Sequence, residues 1–261
     1  MLQLGNLGAG HLPVFLAMLG TLMLGSTYVV AVYRGDVDPL FPYISAEGDR
    51  RPESCLFSMM LNLSSFLTML IIYLRYSLVS ELNRSSDLCL KRINELSLVA
   101  GLIGAVGMFC VANFQETALL IVHWTSAFVC FGSGCIYMLI QSYITIHMYP
   151  LYANRHIGFV RSFIALIAVI SFCTGTLFFI DSYPHRYPRM MSLIQFDEGY
   201  DLHCISAVSE WVLAISNFVF LLSYSRDFEK IQVELGVQPL VAHLDQSPLW
   251  RSATDLSLSS G

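Results

Sequence analysis

The residues best able to do chemistry in this sequence are few, and they stand inside apolar text. Glu210 lies well within the last long apolar run, where a carboxylate is expensive to hold. His203 precedes it by two helical turns and falls on nearly the same face. Asn62 is similarly deep in the second apolar run, while Asn113 and His123 flank the short connection between the third and fourth. Three chemistries suit such a set. It could be a hydrogen-bonded network that fixes helix packing. It could be a lipid or small-molecule site, or a proton-responsive element. It could also be a catalytic or metal centre, with two histidines and one glutamate as ligands. No spacing motif selects among these. The chain carries no P-loop, dinucleotide fingerprint, nucleophile elbow or zincin helix, so no catalytic residue, metal ligand or cofactor is assigned.

The elements that would position these residues follow from composition. The chain has 261 residues, of which 55% are hydrophobic and only 13% charged, with mean hydropathy +0.61. Soluble domains carry about a quarter charged residues, so this composition predicts a polytopic membrane protein. Six runs are long enough to span a bilayer: about 11–33, 54–74, 96–112, 118–141, 157–180 and 201–224. None alternates with period two, which excludes a membrane β-barrel and predicts an all-α bundle of six transmembrane helices. The first run lacks a basic leader and a small-residue cleavage site, and reads as an uncleaved span. Gly101, Gly104 and Gly107 in the third run, and Gly132 and Gly134 in the fourth, predict close helix approach. There is no basic patch of the nucleic-acid type.

Between the first two runs lies a polar stretch, Asp38 to Asn62. Pro39, Pro42 and Pro52 bias it away from helix, and Glu47-Gly48-Asp49 reads as a turn in which Gly48 is able to take positive φ at little cost. Pro52-Glu53-Ser54 then opens the next helix. Pro42-Tyr43-Ile44-Ser45, Gly48, Pro52-Glu53, Cys55, Phe57 and Asn62 together resemble the DNA-damage-regulated autophagy modulator family, within the wider group that includes FRAG-type membrane proteins. Further matches are Val111 to Gln115, His123, Phe131-Gly132, Gly134, Tyr137 and Gln141. The last run adds Leu202-His203, Ala207, Glu210-Trp211, Tyr224, Arg226-Asp227-Phe228 and Lys230. The resemblance covers roughly Pro39 to Lys230. It implies a six-span lysosomal or late endosomal protein that promotes autophagy and stress-linked cell death, acting without enzymatic chemistry on membrane lipids or on autophagy and endolysosomal partners. A lipid-handling or phosphoinositide-organising protein of the plasma membrane or Golgi is the alternative that the wider group implies.

Lysine and arginine orient the spans. Nine of the 14 fall on the side of the two termini: Arg75, Arg84, Lys91, Arg92, Arg155, Arg161, Arg226, Lys230 and Arg251. Arg34, Arg50, Arg51, Arg186 and Arg189 fall opposite, so both termini are expected in the cytosol. The Arg226–Lys230 segment is expected to anchor a helix end at the interface. Residues 1–230 read as one membrane domain and 231–261 as a disordered cytosolic tail, in which Asp245 to Trp250 is an imperfect acidic dileucine signal. Cys55 and Cys204 fall at one membrane face and are a candidate pair. The sequons at Asn62 and Asn83 lie in a span and a cytosolic loop, and neither is expected to carry sugar.

Overall fold

In hydrocarbon, backbone N–H and C=O groups find partners only within their own segment, so apolar runs of this length become helices. The computed structural model describes residues 8–83, 87–150, 154–186, 199–229 and 231. The helices are α1 (His11–Arg34), α2 (Ile44–Glu47), α3 (Glu53–Leu82), α4 (Leu88–Asn113), α5 (Leu120–His147), α6 (Arg155–Arg186), α7 (Tyr200–Leu222) and α8 (Ser225–Phe228). There is no strand among the described residues, and six of the helices are long and apolar enough to cross a membrane. The expected tail beyond residue 231, including Asp245 to Trp250, lies outside the described residues, as do Arg84, Ser85, Arg189 and Lys230.

Helix ends follow local chemistry. α1 stops at Gly35, whose φ of 73° is left-handed and whose N–H donates to the carbonyls of Ala31 and Val32. α4 starts at Asp87, whose carboxylate accepts from the N–H groups of Cys89 and Leu90. Those contacts, with His147 alongside, hold the Asp87 carboxyl below its ordinary range. Several helices outrun the apolar segments that announced them. The run at 54–74 belongs to Glu53–Leu82, and that at 96–112 to Leu88–Asn113. Arg75, expected in a connecting loop, lies inside α3 and is buried. A charge ends an apolar run on paper, but it does not end a helix when the bundle supplies its partners.

The six spans close a ring. α1 packs on α3, and each later span packs on the next until α7 returns to α1. Leu16 of α1, Ile71 of α3, Met138 of α5, Ala165 of α6 and Phe220 of α7 share one buried core. Outward positions such as Met18, Leu22, Phe66, Ile121 and Leu177 are apolar and exposed. That outer surface suits lipid and would be a liability in water. The first and last described residues, where the Ala9 N–H donates to the Ile231 carbonyl at 3.4 Å, and the helix ends at Leu82, Leu88, His147 and Arg155 lie at one end of the ring, here the termini end. Residues 35–52 and 114–119 cap the other, the loop end.

Small residues set the closest approach. A Cβ on Gly107 would lie 2.8 Å from the Cys130 nitrogen and 2.9 Å from the Ser126 carbonyl oxygen, so α4 and α5 touch backbone to backbone. Ser65 Oγ donates to the Ala105 carbonyl at 2.8 Å, and Ser206 Oγ to the Gly175 carbonyl at 2.9 Å. These bonds tie α3 to α4 and α7 to α6.

Candidate functional site

The polar stretch between the first two spans folds back over the loop end of the ring and is bonded to several of its elements. Asp49 is the clamp to the α4–α5 connection: its carboxylate accepts from the Thr117 N–H at 2.9 Å and the Thr117 hydroxyl at 2.8 Å. Ser45 Oγ donates to Glu116 Oε2 at 3.5 Å, and Trp124 Nε1 donates to the other oxygen of Glu116 at 3.2 Å. On α7, Glu210 Oε2 accepts the Ile44 N–H at 3.0 Å, and Trp211 Nε1 donates to the Pro42 carbonyl at 2.9 Å. Tyr43 meets the His203 ring edge-to-face at 4.8 Å and Phe179 at 6.0 Å.

Charge at this end is uneven. Glu47 of α2 is wholly buried and accepts from the Thr27 hydroxyl at 3.4 Å. Burial, reinforced by the nearby Glu210 carboxylate, pushes the Glu47 carboxyl up to about 9, against the lowering effect of Thr27. Glu47 is therefore a neutral acid at pH 7. Nearer the rim, Arg50 and Arg34 bond Asp36 at 2.9 and 3.1 Å. Burial opposes ionisation of Asp36, but hydrogen bonds with Glu53, Arg50 and Arg34 outweigh it and hold that carboxyl below its ordinary range. Glu53, at the start of α3, is buried with Arg34 Nε 3.6 Å away.

Gly48 departs from the sequence reading. Its φ is −96°, so no left-handed turn demands glycine there. The demand is for space, since a Cβ would run into the Phe57 ring. Pro52 stands at the N-cap of α3, and Cys55 and Cys204 are both free thiols, so the candidate pair is not formed.

The five polar residues singled out from sequence fall into three places. Asn62 and Asn113 bond each other reciprocally, at 3.1 and 2.8 Å, and join α3 to α4 near the surface. They do not serve Glu210. His203 packs among Tyr43 and Tyr200 under the polar stretch. Glu210 and His123 come together at the edge of two neighbouring cavities inside the ring. His123 is 3% exposed, and its Nδ1 donates to the Phe114 carbonyl at 2.6 Å. The larger cavity, about 430 Å³, lies between α5, α6 and α7; the smaller, about 100 Å³, runs toward α1, α3 and α4. Among the described residues no three His, Cys, Asp or Glu side chains are grouped to hold a metal ion.

A family model described as the Frag1/DRAM/Sfk1/Cwh43P N-terminal domain matches residues 8–231. The chain belongs to this Frag1/DRAM family. It is 33% identical to DNA damage-regulated autophagy modulator protein 2 of Bos taurus over 232 residues, 87% of each chain. It is 34% identical to DNA damage-regulated autophagy modulator protein 1 of Xenopus laevis over 231 residues, 88% of this chain and 95% of that one. A third relative, modulator of macroautophagy TMEM150B of Danio rerio, is 31% identical over 84% of this chain and 85% of its own. No solved structure matches the chain.

This Frag1/DRAM-family chain also holds a polar centre that sequence reasoning missed, at the termini end. Arg161 of α6 is 0% exposed and Arg75 of α3 is 4% exposed. Both reach Asp227 Oδ2 on α8, at 2.7 and 3.1 Å. Arg75 Nε also donates to Gln141 Oε1 at 3.0 Å, and Arg161 Nη2 to the Ser223 carbonyl at 3.0 Å. Both guanidinium groups lie over the Tyr224 ring, 5.1 and 4.6 Å from its centroid. Phe228, expected as an interfacial anchor, is 0% exposed. The Arg226–Lys230 segment therefore does more than mark the membrane surface: Asp227 and Phe228 lock α8 into the bundle. Arginines next to apolar runs read as loop charges, and only the fold reveals that Asp227 faces two of them.

Proposed function

We propose that this chain is a multi-pass protein of the lysosomal or late endosomal membrane that promotes or modulates autophagy. It acts on membrane lipids or on protein partners of the autophagy and endolysosomal machinery, contributes to stress-linked cell death, and catalyses no reaction itself. One observation carries the reading: three relatives, each matched over more than four fifths of this chain, are named as modulators of autophagy. In this reading residues 1–230 form the membrane domain, 231–261 form a cytosolic tail, and the polar stretch faces the organelle lumen. The polar residues then serve mainly to hold the loop end closed, since Glu210 and Trp211 are engaged with the backbone of the Pro42–Ile44 segment. The test is autophagic flux in cells lacking the endogenous protein. The wild-type chain should restore flux from an endolysosomal location. Unchanged flux on loss and rescue, or stable residence at the plasma membrane, would overturn it.

A lipid-handling role is the second reading, and the cavity of about 430 Å³ among α5, α6 and α7 favours it. Lipid movement or conversion by the purified chain in liposomes tests that role directly.

A further inference from the structure

The larger cavity opens sideways. Phe128 and Ile180 line it and are also 56% and 63% exposed on the outer surface of the ring, so it reaches the lipid-facing side between α5 and α6. Two aromatic pairs bridge that seam: Trp124 meets Phe179 edge-to-face at 5.0 Å, and Phe128 meets Phe172 at 5.2 Å. Around these rings the wall is built from small side chains, Ala127, Ser171, Gly175 and Ser206. Rings set among small residues make flat apolar faces.

Its dimensions narrow the ligand. The lining runs along α5 from His123 to Phe131 and along α6 from Ser171 to Ile180, about 12–14 Å by helical rise. That is roughly half of a hydrocarbon core of about 30 Å, so the cavity, starting at the loop end, lies within one leaflet. A volume of about 430 Å³ over that length gives a mean cross-section of about 30 Å², wider than a single alkyl chain fills. At the loop end the wall is polar but already engaged: Glu116 accepts from Ser45 and Trp124, and Glu210 from the Ile44 N–H. Both carboxylates have partners, so the wall offers no free charge to a cationic head. No lysine or arginine stands among the described lining residues to answer an anionic one. A hydroxyl both donates and accepts, and it joins such a wall without adding a charge. A rigid ring lipid also loses less freedom on entry than a flexible chain.

We propose that the cavity between α5, α6 and α7 binds a membrane sterol, a flat fused-ring lipid with one hydroxyl. It enters from the bilayer between α5 and α6. The rings lie against the aromatic wall, the hydroxyl points to the loop end beneath the polar stretch, and the tail points to the membrane centre. The ligand class deepens the lipid-handling reading, and it rests on that reading only in drawing its ligand from the bilayer.

Photocrosslinking of the purified full chain in phosphatidylcholine nanodiscs tests this. Two photoreactive sterols serve as probes, one with its diazirine on the ring system and one with it at the end of the tail. Both should label peptides of α5, α6 and α7 saturably, the ring probe nearer His123 and the tail probe nearer Phe131. Unlabelled sterol should compete at least tenfold better than its sulfate ester or a linear long-chain alcohol. Thr176→Trp, which fills the cavity, should abolish the labelling. Val29→Trp, on the exposed outer face of α1, should leave it unchanged. Ala127→Leu is a second filler should Thr176→Trp fail to fold, and the competition series on the wild-type chain decides the matter without either. Equal competition by all three compounds, the reverse order of the two probes, labelling spread over the outer surface, or labelling that persists in a folded filled variant would overturn the proposal. Lipid movement in liposomes is measured separately. Movement without sterol binding sinks this proposal alone, and binding without movement sinks the lipid-handling reading alone.

Discussion

Glu47 shows how a single side chain can set a pH dependence. Its carboxyl, raised from the ordinary 4.5 to about 9 by burial and by the Glu210 charge, keeps a proton in the folded chain that the unfolded chain releases. A group raised in this way stabilises the fold fully below its unfolded value, and the contribution is lost as pH rises through the folded one. Thermal unfolding in detergent should therefore show a midpoint that falls between about pH 5 and about pH 9. Glu47→Gln keeps the acceptor for Thr27 and should flatten that dependence; an unchanged slope would show that Glu47 is not its source. At the opposite end, Asp227 answers two buried guanidinium groups. Asp227→Asn should destabilise the fold by about 3 kcal/mol, the lower end for breaking a buried pair, because Asp227 is itself 28% exposed. Adding Arg75→Met to Asp227→Asn should cost less than the sum of the single changes, since both act through one contact. Strict additivity of the two losses would show that the pair is not coupled.

At the scale of the helix, packing distance matters more than propensity. α4 and α5 meet where Gly107 faces the Cys130 and Ser126 backbone. Backbone cannot swing aside as a side chain can, so Gly107→Ala should cost about 1–3 kcal/mol. Gly25 of α1 has open space around its missing Cβ, and Gly25→Ala should be neutral or mildly stabilising. Measured side by side, the two variants separate a packing requirement from the general cost of glycine in a helix. Equal effects would remove the close-approach argument.

For the whole molecule, the six spans that close one ring bring the first and last described residues, Gly8 and Ile231, to the same end. Which end faces the cytosol rests on charge, and burial changes the count. Arg75 and Arg161 are enclosed by protein and stop acting as loop charges, so nine against five becomes seven against five. The bias keeps its direction. A C-terminal tag should accordingly be digested by protease added to sealed microsomes, and a protected tag would reverse the orientation.

Composition and run length alone were enough for an all-α, six-span protein, because hydrocarbon leaves the backbone one solution for each long apolar segment. The motif around Pro42 to Asn62 also pointed to the family that residues 8–231 match. The contacts of the polar residues were not legible, since they join positions far apart in the chain. Glu210 bonds the backbone of Ile44, a partner with no side-chain signature, while Asn62 chooses Asn113. Gly48 looked like a turn glycine and proved to be a gap for Phe57, a distinction that exists only once α3 is packed. Arg75, Arg161 and Asp227 carry no local pattern that separates a buried pair from surface charge. Ring closure decides that difference, because it brings α3, α6 and α8 within reach of one carboxylate and removes water from both guanidinium groups.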